Sequence, residues 1–582
     1  MFGKGRYVNK HDYSITTLRK RLFAIFIAVT FLFLAVIGRL FYVQVIWGET
    51  LQEKAIDQWT REIPVVATRG AITDRNGVVL ATNDDTYSVF VRKKAVVDKD
   101  KTVSIISQTL GLDEKYVSDR LTNTKSSEVT LKKQVKKQDI DNLISHGLSG
   151  VYYSRDNSRV YPNGEFLSSV LGFTSTDGKG QSGLELYYDK FLSGINGEIL
   201  YETDIVGVEI DGGKASYIPA TDGLGVKLTI DYDVQRLCET AMSEAMQVHN
   251  AKSAQMIVMN PNTGEILALS TKPSYDLNDI PRNDLDLLNA LNRNGLVCDI
   301  YEPGSTFKIL TSVANIQEYL DGNPNAFSTE HIYNSSRYRY VDGQKVKCWS
   351  DHKNGKHANL DLQGALNNSC NPIFVDIAMS LGKEVMYKYI ELMNYGSVTG
   401  IDFNGEAQGM VLPPTSVQNV DLARIAFGQT IAVTGLQLIT ATASAINGGN
   451  YYTPYLVSEI YSKEGITVQK NYPKLKNKVI SEKASSIINQ MLENVVAEGS
   501  GKHAFIDGYR VAGKTGTAQK YQNGVIAVGK YVSSFVGYFP ANAPEYIALV
   551  IIDEPEGQYY GSTVAAPYAK KVFQGIIDIK GL

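Results

Sequence analysis

Glu302-Pro303-Gly304-Ser305-Thr306-Phe307-Lys308 opens a run that continues as Ile309-Leu310-Thr311-Ser312-Val313-Ala314-Asn315-Ile316. The run has helical character and Pro303-Gly304 is a turn signal, so Ser305 is expected near the N-terminal end of a helix. There backbone N–H groups point outward. Positions i and i+3 share a helix face, which brings the Lys308 amine within reach of the Ser305 hydroxyl. A serine alcohol is a poor nucleophile until a base takes its proton. A desolvated lysine can be that base, because burial favours its neutral form. The pattern alone is weak, since Ser-x-x-Lys recurs at Ser350–Lys353 and Ser380–Lys383, where it reads as surface.

Two further stretches give Ser305 its weight. Asn368-Ser369-Cys370-Asn371-Pro372 reads as a loop before a helix, with Pro372 suited to the first turn. Gly513-Lys514-Thr515-Gly516-Thr517, the sole Lys-Thr-Gly in the chain, is expected to lead out of a strand. Taken singly, Ser369 could be a helix cap and Lys514-Thr515-Gly516-Thr517 a strand end. Ser-x-x-Lys, Ser-x-Asn and Lys-Thr-Gly in that order are far more specific together than any one is alone.

With these three motifs the sequence resembles the penicillin-recognising serine transferases and hydrolases, and among them the class B penicillin-binding proteins, which are peptidoglycan D,D-transpeptidases. The resemblance also takes in Arg69-Gly70, Asp74-Arg75-Asn76-Gly77 and Gly183-x-Glu185 upstream, and Ala426-Phe427-Gly428-Gln429 and Thr434-Gly435-Leu436-Gln437 downstream. It implies that Ser305 attacks the carbonyl between the terminal D-alanines of a stem peptide while Lys308 takes its proton. It further implies oxyanion donors in the backbone N–H groups of Ser305 and Thr517. Ser369, working with Lys514, would relay a proton to the leaving D-alanine, and Asn371 would hold the substrate amide. Thr515, Gly516 and Thr517 would form the substrate-binding edge that receives the terminal carboxylate. An amine on a second stem peptide would then deacylate the enzyme, and β-lactams would acylate Ser305. No cofactor is implied for the chemistry. A membrane glycosyltransferase of wall synthesis is the implied partner.

Outward from the motifs, the fold class expected is multi-domain α/β. Asp233–Val248 reads as a helix, and 254–260 and 265–270 as strands joined at Asn262-Thr263-Gly264. A long, mainly helical stretch reaches about Gly449. Apolar strand runs at 509–513, 533–539 and 545–553 and a last helix at 565–577 close one antiparallel sheet flanked by helices, its first and last segments sharing the sheet. The transpeptidase domain is therefore set at 236–582. Before it, 48–235 is expected to be an elongated α+β pedestal with a hairpin at Asn76-Gly77 and a small helical insert over 96–149. Leu22–Gly38 is uncharged and apolar character resumes after Arg39, so 22–47 reads as a transmembrane helix and 1–21 as a basic cytoplasmic tail. The catalytic part would then lie outside the cell membrane. A cleaved signal peptide is the alternative, opposed by the length of the apolar stretch and the lack of an Ala-x-Ala-like site. With 58 basic and 61 acidic residues and no basic run interleaved with aromatics, nothing points to nucleic acid.

Four cysteines, Cys238, Cys298, Cys348 and Cys370, remain. Cys238 falls in a helical run and reads as core. Cys348, His352, His357 and Cys370 can furnish four N/S ligands, the set a closed structural zinc site wants, with Asp351 as an alternative ligand. A Cys348–Cys370 disulfide or redox-sensitive dithiol, or free thiols, are the competing readings. If the Ser-x-Asn segment is extended, Cys370 faces away from Ser369 and Asn371, and a metal there tethers the loop from behind. Cysteine within Ser-x-Asn resembles the spore-cortex branch of the family, which often carries a C-terminal PASTA module. The 65 residues after Thr517 leave space only to finish the sheet and helix, so no such module is expected and division or sporulation both stay open.

Two other functions use the same residues differently. A β-lactam sensor or β-lactamase shares the acylating serine but, in the lactamase, needs a water-activating base. Glu391-Leu392-Met393-Asn394 resembles such a motif, yet reads as part of a helix over 385–394. A non-catalytic wall-assembly scaffold would use the pedestal alone.

Overall fold

The structure, a computed structural model, describes residues 15–51, 60–124, 126, 128–202, 215–334, 336–353, 355, 357–522 and 525–582. The basic residues expected at 1–14 lie outside these. Helix α1 spans Ile15–Phe41 and continues into a wider turn, Tyr42–Ile46. It starts before the expected Leu22, because Arg19, Lys20 and Arg21 are themselves sound helix formers. Among the described residues, Ile15–Ile46 is the one helix long and apolar enough to cross a membrane, and none of α1 is buried against the protein.

The pedestal is built around one 14-residue strand, Val79–Arg92, which pairs antiparallel with Ile72–Thr73, Glu128–Val135 and Val151–Val160. The hairpin turn at Asn76-Gly77 is present, with Gly77 at φ +92°. Asp74, fully buried, accepts hydrogen bonds from the backbone N–H groups of Asn76, Val78 and Tyr232. The insert over 96–149 is not all helical. Helices Lys99–Leu110, Glu114–Asn123 and Lys137–Ser145 pack with the strand Glu128–Val135, where Val129 and Leu131 face inward and their neighbours outward. Alternation of that kind is a strand signal, and it overrides the helical spacing on either side.

In the second domain, β1 (Ser253–Met259), β2 (Ile266–Lys272), β3 (Ala512–Gln522), β4 (Val525–Phe539) and β5 (Tyr546–Asp553) form one antiparallel sheet in the order β2-β1-β5-β4-β3. The first and last segments of the domain do share a sheet. Helices α2 (Tyr232–His249), α3 (Lys308–Leu320), α4 (Asn371–Leu392), α5 (Gly435–Ile446), α6 (Glu482–Ala497) and α7 (Ala566–Lys580) cover it. Along β5, Ala548, Val550 and Ile552 enter the core shared with α2 and α7, while Ile547, Leu549 and Ile551 enter the core shared with α3 to α6. Burial on both faces explains why β5 is an unbroken apolar run. The stretch to Gly449 is not only helical, since Tyr338–Val341 and Gln344–Lys347 form a hairpin pinned to α4 by a bidentate Arg339–Asp376 pair.

The two domains share a second sheet. Val457–Tyr461 pairs antiparallel with Gly225–Leu228, which pairs parallel with Ile72–Thr73. Tyr188 in the pedestal donates to Asp402, whose carboxylate also accepts from the N–H groups of Leu456 and Val457.

Candidate active site

Ser305 lies in a 3₁₀ turn, Gly304–Phe307, that runs directly into α3 at Lys308. In 3₁₀ geometry residues i and i+3 eclipse, so Ser305 sits one turn ahead of Lys308 on the same side of the chain. The turn is fastened on two sides. Gly304 N–H donates to Gly428 O and the Glu302 carboxylate accepts from Thr430 N–H. On the other side it meets the sheet edge: Gly304 has φ +55°, and a Cβ there would lie 3.0 Å from Thr517 O.

The Ser-x-Asn segment comes in from the start of α4. Ser369 adopts a left-handed conformation, φ +51°, while Cys370, the N-cap residue of α4, is extended, so the condition set for the Ser-x-Asn segment is met at Cys370 and not at Ser369. A strained non-glycine residue of this kind persists only where its surroundings fix it. Here they do. Lys308 Nζ donates to Ser369 O at 2.8 Å, Ser369 Oγ at 3.0 Å and Asn371 Oδ1 at 2.7 Å. Lys514 Nζ donates to the same Ser369 Oγ at 3.1 Å and to Thr515 O at 3.2 Å. Both lysines are 0 % exposed, whereas Ser305 is half-buried.

Burial holds the Lys308 amine down at about 8, and Lys514 is pushed well below its ordinary range by burial and by the like charge of Lys308. Taking a cation out of water penalises its charged form, and two neighbouring amines cannot both keep a proton cheaply.

Lys514-Thr515-Gly516-Thr517 sits within the edge strand β3, not beyond its end. The cause is β4, which pairs with β3 through the whole motif, Lys514 opposite Val536 and Thr517 opposite Ser533. Gly516 allows the close approach to the serine turn: a Cβ there would meet Ser534 Oγ at 2.4 Å and Pro303 O at 3.1 Å. Thr517 Oγ1 accepts from Gly561 N–H, leaving its own hydroxyl proton free to donate. Thr515 Oγ1 donates to Ser500 Oγ at 3.3 Å, and Ser500 N–H donates to Asn367 O, so Ser500 ties Lys-Thr-Gly to the Ser-x-Asn side. Sequence reasoning passed over Ser500, whose only signal is its place between Gly499 and Gly501.

Behind Ser369 lies a second group. The ligand atoms of Cys348, His352, His357 and Cys370 fall within 4.8 Å of one another, and Cys348, His357 and Cys370 are buried. His352 and His357 stack with ring centroids 4.1 Å apart. The Cys370 thiol, with His357 and His352 beside it, holds Cys348 well below the ordinary thiol range. Among the described residues, buried His357 Nδ1 has no hydrogen-bond partner. Two cysteine sulfurs and two imidazoles, one with a buried orphan nitrogen, suit a tetrahedral N₂S₂ cation site. Asp351 is not part of the group; its carboxylate turns outward to Lys353. Neither cysteine is in a disulfide.

The model of the penicillin binding protein transpeptidase domain matches residues 254–574, and that of the penicillin-binding protein dimerisation domain matches 64–228. The chain is similar to stage V sporulation protein D of Bacillus subtilis, 39% identical over 573 residues that cover 98% of this chain and 87% of that protein. It is 27% identical to peptidoglycan D,D-transpeptidase FtsI of Escherichia coli, over 95% of this chain and 90% of that one. A solved peptidoglycan synthetase from Bifidobacterium adolescentis superposes with a TM-score of 0.72 at 25% identity, covering 90% and 97% of the two chains. A dimerisation domain, a transpeptidase domain and three motifs meeting at one buried pair of lysines make this chain a class B penicillin-binding protein.

Proposed function

We propose that this chain is a peptidoglycan D,D-transpeptidase acting through an acyl-enzyme on Ser305. The observation that carries the residue roles is the convergence of two buried amines, Lys308 and Lys514, on the Ser369 hydroxyl, with half-buried Ser305 one turn ahead of Lys308 in the chain. Ser305 Oγ attacks the carbonyl carbon of the penultimate D-alanine, and its proton passes to neutral Lys308. The oxyanion is received by the backbone N–H groups of Ser305 and Thr517. The C–N bond breaks, and the departing amine takes a proton from Ser369 Oγ, which recovers one from the Lys308 ammonium formed in the first step while Lys514 holds the same oxygen from the other side. Asn371 holds the donor amide, and Thr515 and Thr517 hold its carboxylate. The amine of a second stem peptide then attacks, forming a C–N bond while the C–Oγ bond breaks and Oγ recovers its proton. Glu391 is exposed on α4 and its side chain is no candidate for activating water. Helix α1 anchors the chain with its basic end in the cytoplasm, so that catalysis is extracytoplasmic beside a membrane glycosyltransferase.

The test is intact-mass analysis with benzylpenicillin. One adduct should form, persist for many minutes and vanish in Ser305→Ala. Rapid loss of the adduct indicates a lactamase, and an adduct retained in Ser305→Ala overturns the assignment.

The Cys348/His352/His357/Cys370 group is proposed to hold a structural Zn²⁺ that steadies Ser369 from behind. Protein purified without chelator should carry one zinc per chain, lost in Cys370→Ser. Absence of stoichiometric zinc from the wild type ends the idea.

A further inference from the structure

Trp349 stands next to Cys348, on the Ser-x-Asn side of the site. Its indole N–H donates to Asn368 O at 3.1 Å, one residue before Ser369, and its ring packs edge-on against His357 at 6.3 Å. These two contacts fix a side chain that is nevertheless 58 % exposed. From the sheet side, Tyr560 precedes Gly561, whose N–H is bonded to Thr517, and the Tyr560 ring is 42 % exposed. The centroids of Trp349 and Tyr560 are 6.3 Å apart. Tyr560 leans on Tyr559 at 4.5 Å, and Tyr559 stacks on Tyr531 at 4.0 Å. An aromatic row thus leaves β4 at Tyr531, beside edge strand β3, follows the loop after β5 and reaches the Ser-x-Asn side at Trp349.

Register places this row against a donor. On the transpeptidase reading, on which this inference rests, the donor adds antiparallel to edge strand β3 with its carboxylate at Thr515 and Thr517. The residue ahead of the D-alanyl pair then lies level with Gln519, which pairs with Tyr531. Exposed rings held from behind on both sides form a preformed apolar seat, not mobile surface.

We propose that Trp349, with Tyr560, seats the aliphatic part of the donor residue that precedes D-alanyl-D-alanine, so that Trp349 sets donor affinity and not the chemistry of Ser305. The loop that carries the Cys/His group positions the indole.

The test uses the full-length chain in detergent. D-alanine release is measured from a stem pentapeptide and from a tripeptide in which glycine precedes the D-alanyl pair. Trp349→Ala should raise KM for the pentapeptide about tenfold, leave its kcat within about twofold, and leave KM for the glycine peptide little changed. Trp349→Phe should recover most of the loss. The chain has three tryptophans, so Trp47→Phe/Trp59→Phe leaves Trp349 as the only indole. In that background with Ser305→Ala, the pentapeptide should shift Trp349 emission and the glycine peptide should not. A fall in kcat for both peptides makes Trp349 a structural prop of Ser369 and overturns the proposal. Faster turnover in Trp349→Ala makes the ring pair a lid, and an unchanged KM leaves no seat; either also overturns it. Failure of the transpeptidase reading looks different: the wild type then releases no D-alanine from either peptide.

Discussion

Ser369 Oγ stands between Lys308 Nζ and Lys514 Nζ, at 3.0 and 3.1 Å, and that hydroxyl defines what the site can do. Lys308 donates to three acceptors, the full complement of an ammonium, so the amine must shed a proton before it can accept one from Ser305. With burial holding Lys308 at about 8, the penicillin acylation rate should rise with pH and level off above an inflection near 8. The sign follows from the neutral amine being the active form: protonation below that point removes the base. Stopped-flow acylation from pH 6 to 10 reads this out, and a rate falling across that range contradicts the role. Lys308→Met should slow acylation by about 10²–10⁴-fold, the usual worth of a positioned general base. These residues were legible because acyl transfer demands a fixed set of types in a fixed order. Ser500 was not, because its link to Thr515 arises from a loop more than a dozen residues away that carries no spacing signal.

At the scale of elements, the site depends on how closely β3 can approach the serine turn. Gly516 is the point of contact, where an added methyl would sit 2.4 Å from Ser534 Oγ and 3.0 Å from Thr306 Cγ2. Gly516→Ala should therefore push the strand off the turn and misplace Thr517 N–H relative to Ser305. Losing one aligned oxyanion donor costs about 10²–10³ in rate. Acylation should slow by that order while the circular dichroism spectrum stays native; wild-type acylation in a folded Gly516→Ala protein would show that the contact is slack. Strands buried on both faces, such as β5, were readable as unbroken apolar runs, and β1–β2 as a hairpin at Asn262-Thr263-Gly264. Two elements were not. The hairpin Tyr338–Val341/Gln344–Lys347 is polar and held by the Arg339–Asp376 pair, a tertiary contact with no local pattern. The extent of β3 around Lys514 was hidden because Gly513 and Gly516 are poor strand residues, kept in the ladder by pairing with β4.

Across the whole molecule, pedestal and transpeptidase domain share a sheet through Val457–Tyr461, Gly225–Leu228 and Ile72–Thr73, so neither has an independent edge there. The resemblance drew attention to Arg69 and Glu185 without saying what they do; the structure makes them the pedestal's internal brace. Glu185, 0 % exposed, takes Arg69 Nε at 2.6 Å and Arg159 Nε at 2.7 Å, and Arg69 also reaches Asp189 at 2.7 Å. Removing one charge from such a network leaves a buried guanidinium uncompensated, at a cost of about 3–5 kcal/mol. Glu185→Gln, with Arg69 still held by Asp189, should fall at the lower end of that range. Because the shared sheet couples the domains, the loss should appear as a downward shift of one main thermal transition. Below that transition, benzylpenicillin should acylate Ser305 at the wild-type rate, since no brace residue contacts the site. Calorimetry in detergent decides the coupling: a separate early transition, with the rest of the profile unmoved, would mean that the shared strands do not bind the two domains into one cooperative unit.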